Sequence, residues 1–210
     1  MTTKTKNFFD RTAFLKPPVI GDPTYEDWGR MLANQQAMLA TDGSMTLLLS
    51  GLYGEAIGVQ LLHQAEQRNK KPDPALQTNV GATTLERTIL LKTVGTKQTV
   101  AYAESSIATD RLPATLRNDL HDGDKAIGLV LRDHAVPTFR YLERWGRVPE
   151  WHIANRHLPK KIGAAGVEWA PFFRSYIINA NIPGSGTDET VPIMRVSEYF
   201  LFKLLDKKGA

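Results

Sequence analysis

VPIMRVSEYFLF, residues 191–202, is the stretch whose reading decides the fold. It is rich in β-branched and aromatic residues and alternates in parts, the pattern of a strand with at least one buried face. One acid, Glu198, sits in its middle among Val196, Tyr199, Phe200 and Leu201. A carboxylate is costly to bury unless something pairs with it. The opposite charge is available in Arg87, a lone cation in LERTILL (85–91), and Arg174 is a third lone charge, in FFRSYII (172–178). Charges set singly in apolar strands are candidates for the poles of a ligand pocket. Alternation alone also allows the plain alternative, that each faces solvent.

Working outward, 172–180 reads as the preceding strand, joined to 191–202 by the flexible PGSGTDET (183–190). Further upstream, 85–94 and 97–108 are predicted strands joined by a tight Gly95-Thr96 hairpin. Residues 55–64 form another, because Ile57, Val59, Leu61 and His63 alternate. Polar QRNKKPDPALQ (67–77) follows it as a loop. Phe139, Tyr141, Glu143 and Trp145 mark one more alternating strand. Helical spacing of Trp28, Met31, Leu32, Gln35, Met38 and Leu39 follows a start at Asp22-Pro23 and stops at Asp42-Gly43. Ser44 caps a second helix in SMTLLLSGLYG (44–54). A third covers 110–121 with Pro113 near its start, and 121–124, HDGD, is a turn. The short apolar run 126–131 suits helix and strand alike. Residues 147–171, with Pro149, Pro159 and GAAG, read as a long loop or flap with some helix. Sequential strands interrupted by helices, without regular βαβ alternation, point to an α+β domain with an antiparallel sheet. The predicted organisation is a lead-in over 1–21 and a single domain over 22–206.

Composition narrows the chemistry. The 210 residues are 42% hydrophobic and 23% charged, ordinary for a globular protein. A net charge of +4 with pI near 9.3 comes from scattered basic residues, which favours an anionic small molecule over a nucleic acid. With no cysteine, thiolate metal sites and a cysteine nucleophile are excluded. The five histidines form no HExxH, and no GxSxG elbow surrounds Ser105 or Ser106. Gly95-Thr96-Lys97 joins two strands and lacks the upstream glycine of a phosphate loop. No apolar run reaches the roughly 18 residues of a spanning helix, and 1–16 lacks the apolar core of a secretory signal. The expectation is a soluble cytoplasmic protein with no membrane, nucleic-acid, metal or cofactor partner, its oligomeric state open.

Asp27-Trp28, Ser44-Met45-Thr46, LERTILL, GDKAIG (123–128), FFRSYII and PIMRVSEYFL occur in an order that resembles the chorismate pyruvate-lyases. AESSIATDRLP (103–113) resembles the actinobacterial and archaeal branch of that family. The resemblance spans about 22–202. It implies a six-stranded antiparallel sheet with flaps over a buried site, and cofactor-free conversion of chorismate to 4-hydroxybenzoate and pyruvate. It implies that Arg87 holds the ring carboxylate, that Glu198 stands at the ring hydroxyl, and that the backbones of Met45 and Ile127 assist at the two ends. Arg174 is a further substrate-binding candidate without a matched role. The chain departs from the better-known branch at Glu104-Ser105, where that branch has Gly-Arg beside the enolpyruvyl carboxylate. The alternatives are a diverged enzyme acting on another small cyclic acid, or a non-catalytic binding module like the effector domains of some transcription regulators.

Overall fold

A computed structural model describes residues 32–147, 172–181 and 190–200. The helix start at Asp22-Pro23, the flap at 147–171 beyond Arg147, most of the 183–190 connection and the domain's outer limits fall outside them. Among the described residues, six strands form one antiparallel sheet in the order β1-β2-β3-β6-β5-β4. They are β1 (Ile57–Arg68), β2 (Thr83–Thr93), β3 (Thr99–Ala108), β4 (Thr138–Arg147), β5 (Phe172–Ala180) and β6 (Val191–Phe200). The helices are α1 (Ala33–Ala40), α2 (Met45–Tyr53), α3 (Ala114–His121) and α4 (Ile127–Asp133), with a 3-10 turn at Thr109–Arg111. None of the described helices is long and apolar enough to cross a membrane. The α+β fold and the strand count agree with the sequence expectation.

The opening stretch is β6, buried between β3 and β5 rather than at an edge. Its inward residues Met194, Val196, Glu198 and Phe200 are buried, while Arg195 on the other face is exposed. The β2–β3 hairpin turns through 94–98, where Thr93 N donates to Gln98 O at 2.9 Å. Glu55 clamps the turn by accepting from Gly95 N (2.8 Å), Thr96 N (3.1 Å) and Thr96 Oγ1 (2.7 Å).

Three elements differ from the sequence reading. β1 continues to Arg68, past the expected end at 64, because it pairs with β2 as far as Thr83. It is an edge strand with an exposed outer half, so its polar tail resembles a loop. The ambiguous run 126–131 is helix α4. On β4 the period-two pattern breaks at a bulge between Leu142 and Arg144. Phe139 and Tyr141 are therefore exposed while Trp145 is buried, and Arg140 and Leu142 share the face of Trp145. A bulge exchanges faces within one strand, which alternation cannot anticipate.

Both helical pairs cover the same face of the sheet, over different halves. Met38, Leu39, Met45 and Leu49 from α1 and α2 pack on Ile89, Leu91, Ala101, Trp145, Phe172 and Phe200. Leu116, Leu120, Val130 and Leu131 from α3 and α4 pack on Leu85, Ile107, Tyr176, Ile178, Met194 and Val196. The core is thus two clusters side by side, and the site lies between them.

Candidate active site

The antiparallel register sets two adjacent rows of side chains across the helix-covered face. One row runs Arg87–Ser105–Val196–Tyr176 and the next Ile89–Ala103–Glu198–Arg174. Above them lies a cleft of about 510 Å³, part of it open to solvent. Its floor includes Ile89, Leu91, Ala103, Ser105, Tyr176, Ile178, Val196 and Glu198, with Arg140 on the β4 side. Its roof is the start of α2 (Ser44, Met45, Thr46) and the start of α4 (Ala126, Ile127, Gly128). The two helix starts touch: a side chain at Gly128 would bring its first carbon within 3.3 Å of Ser44 Oγ. Ser44 caps α2, accepting from Leu47 N at 3.5 Å, as its sequence position predicts.

Glu198 is the acid on the cavity wall, and it is held on both oxygens. Arg174 Nε donates to Oε2 at 2.7 Å, and Tyr176 OH donates to Oε1 at 3.1 Å. Arg174 is itself fixed: Nη1 donates to Met38 O (3.0 Å) and Thr41 O (2.7 Å), the free carbonyls where α1 ends. Its guanidinium lies 4.7 Å from the Tyr176 ring centroid. Burial alone would lower the Arg174 pKa, but Glu198 and Tyr176 outweigh it and hold the pKa above its ordinary value. Burial and the adjacent carboxylate push the Tyr176 hydroxyl up, so it stays a neutral donor. The counter-charge of Glu198 is therefore Arg174, its direct cross-strand neighbour, and not Arg87.

Arg87 stands apart. It is 2% exposed, and Nη2 donates to Gly123 O (2.6 Å) and Lys125 O (2.7 Å). Gly123 supplies that carbonyl from a turn with φ +75°, a conformation that glycine enters without strain. Nε and Nη1 are buried without an acceptor, and no carboxylate of the described residues forms an ion pair with Arg87. Burial lowers its pKa, with Asp124 partly offsetting. Arg87 and Arg174 do not line the cavity; Met45, Ile127 and Glu198 do. Arg87 is one cross-strand pair from Ser105, which does.

Tyr176 and Arg140 are cavity residues that sequence reasoning missed. Tyr176 had a usable signal, since it lies two residues from Arg174 and so on the same face of β5. Arg140 had none, because the β4 bulge hides its orientation. Among the described residues, no group of three or more His, Asp or Glu side chains is placed to hold a metal.

Comparison with known proteins adds a family. The description chorismate pyruvate-lyase Rv2949c-like matches residues 39–180. A chorismate pyruvate-lyase of Mycobacterium tuberculosis (strain ATCC 25618 / H37Rv) is 28% identical over 120 residues, and one of Mycobacterium bovis matches equally. The match takes in 54% of this chain and 60% of those relatives' length. Among solved structures, PhnF from Mycobacterium smegmatis gives a TM-score of 0.48 at 16% identity, over 77% of this chain and 64% of that one. The effector domain of PhnF alone gives 0.48 at 14% identity, over 75% and 88%. Likeness at this level speaks to neither ligand nor activity.

Proposed function

From the premise that the chain belongs to the Rv2949c-like chorismate pyruvate-lyase family, we propose that it cleaves chorismate to 4-hydroxybenzoate and pyruvate. The supporting observation is a pairing of features across two side-chain rows. A buried guanidinium without a counter-ion, Arg87, stands beside a cavity whose wall carries one firmly held carboxylate, Glu198. A buried cation with open donors favours an anionic ligand, and a carboxylate fixed against apolar walls is suited to proton transfer.

In this reading Arg87 receives the ring carboxylate, and Met45 and Ile127 close over the ring. Glu198 faces the hydroxyl-bearing carbon and takes its proton. The ring C–O ether bond breaks, its electron pair leaves with enolpyruvate, and the C–H electrons complete the aromatic ring. Enolpyruvate then takes up a proton to give pyruvate. Aromatisation supplies the driving force. What the protein adds is orientation and fixed charges. Arg174 and Tyr176 act through Glu198 as positioning residues, holding both its oxygens in one orientation.

The test is purified protein with chorismate, following 4-hydroxybenzoate and pyruvate in parallel, with and without exhaustive EDTA. Equimolar formation of both products at a rate unchanged by chelation is the expected result. Loss of turnover on chelation, restored by a divalent metal, would count against the mechanism. Binding of 4-hydroxybenzoate with no turnover would replace the enzyme by a binding module. Turnover of a related cyclic acid but not chorismate would identify a diverged enzyme.

A further inference from the structure

Arg140 enters the cavity from the flank opposite Arg87, and none of the roles above uses it. Its backbone N donates to Asp42 Oδ1 at 2.8 Å, and its Nη1 donates to Asp42 O and lies 3.7 Å from Asp42 Oδ1. One end of the guanidinium is therefore anchored. The other edge is open: Nε is buried with no acceptor, and no described residue accepts from Nη2. The Tyr176 ring supports it, with its centroid 5.8 Å from the Arg140 Cζ. The edge formed by Nε and Nη2 is a two-donor fork that matches the two oxygens of one carboxylate. Leaving a buried Nε unpaired is unfavourable, and an anion in the cavity would relieve it.

The neighbouring groups are less suited to that task. Arg174 has Nε on Glu198 and Nη1 on two carbonyls, and although its Nη2 is unpaired, the residue does not line the cavity. Ser105 lines it but carries no charge. Arg87 lies four strand positions from Arg140 in the order β2-β3-β6-β5-β4, about 19 Å between backbones at ordinary strand spacing. Arg140 lines the cavity, while Arg87 lies beyond its opposite side, next to Ser105.

We propose that Arg140 is the specificity residue of this cavity: it receives the second carboxylate of a ring acid that bears another carboxylate on an ether side chain. The inference deepens the lyase reading and rests on it only for the identity of that diacid. The cavity selects dicarboxylates, and the selection comes from β4.

The test uses two stable acids that differ in one carboxylate, 3-(carboxymethoxy)benzoate and 3-methoxybenzoate, titrated calorimetrically into the full chain. The parent protein should bind the diacid at least about tenfold more tightly, the scale of one charge-assisted fork. Arg140→Gln should bring the ratio to within about twofold, with affinity for the monoacid unchanged. If Arg140→Gln does not fold, Arg140→Lys keeps the charge without the fork, and its ratio should fall at least about threefold. A parent that binds both acids equally, or neither, overturns the proposal, and so does a ratio that survives in the variants. Chorismate turnover in parallel separates the two ideas. A diacid preference without turnover leaves Arg140 standing and removes the lyase. Turnover without a preference does the reverse.

Discussion

Arg174 and Arg87 stand on one face of one sheet, buried to 1% and 2% exposure, and they differ in what answers their charge. Arg174 is answered from within: a carboxylate on Nε, two helix-end carbonyls on Nη1, an aromatic face alongside. Arg87 has two carbonyls on one nitrogen and no acceptor on the other two. Equal burial thus hides opposite conditions. Nη2 of Arg174 is also buried without an acceptor, so the two differ in the counter-ion: a charge paired with a carboxylate sets the position of its partner. A buried charge with no carboxylate beside it among the described residues is a standing demand for an anion, which the fold leaves for a ligand to meet.

The largest effect that can break this contrast is on stability. Arg174→Met leaves Glu198 buried with only the Tyr176 hydroxyl, and it frees the carbonyls of Met38 and Thr41. Stranding one member of a buried pair costs about 3–5 kcal/mol. Urea denaturation at neutral pH should show a loss of that size. Adding Glu198→Leu should recover much of it, because the stranded charge is then gone. Arg87→Met strands no carboxylate; it leaves two carbonyls without a donor, about 1–3 kcal/mol each, offset by removal of a buried charge that has no counter-ion. Equal losses at Arg87 and Arg174 would remove the distinction.

The next effect is on turnover. Glu198→Gln keeps the size and one oxygen for Arg174, with the amide N–H able to donate to the Tyr176 hydroxyl, while removing the negative charge. If Glu198 takes the ring proton, kcat on chorismate should fall by about a hundredfold or more. That corresponds to roughly 2.7 kcal/mol of barrier. Affinity for 4-hydroxybenzoate should change far less, because the lost interaction belongs to the transition state. A folded Gln variant with the parent kcat would reduce Glu198 to a structural partner of Arg174. It would also make the Arg174 side of the comparison purely architectural.

Much of this was legible in the sequence, and the parts that were not share one cause. β5 and β6 read clearly because β-branched and aromatic residues dominate them, so Arg174 and the one acid of β6, Glu198, stood out. Met45 and Ile127 rested on resemblance, and the geometry sets both in the cavity roof. Register was not legible. That Glu198 faces Arg174 follows from β5–β6 pairing with a shift between Ile178 and Asn179, which composition does not encode. The same holds for Arg140, whose inward orientation depends on the bulge at Leu142/Arg144. In FRYLERWG (139–146) a strict alternation sets Arg140 opposite to Trp145, yet both share the inner face. Side-chain types announce themselves in sequence, whereas their meeting across strands depends on offsets of one residue.

The smallest of the three effects sharpens the Arg87 side. Arg87→Lys keeps a positive charge on a flexible stem but loses the planar array of donors. Lysine can still reach the carbonyls of Gly123 and Lys125, so stability should change little. What it cannot do is hold those carbonyls and keep further donors in fixed directions, as Nε and Nη1 of the guanidinium do. If the open Nε and Nη1 of Arg87 await the ring carboxylate, kcat/KM on chorismate should fall by at least about tenfold, near 1.4 kcal/mol. Most of the change should lie in KM, because the carboxylate is bound in ground state and transition state alike. Affinity for 4-hydroxybenzoate should fall by a similar factor, the opposite of its behaviour in Glu198→Gln. A Lys variant with parental kinetics and an unchanged melt would remove Arg87 from the site. Its unpaired nitrogens would then be a tolerated cost of packing the turn at Gly123 against the sheet.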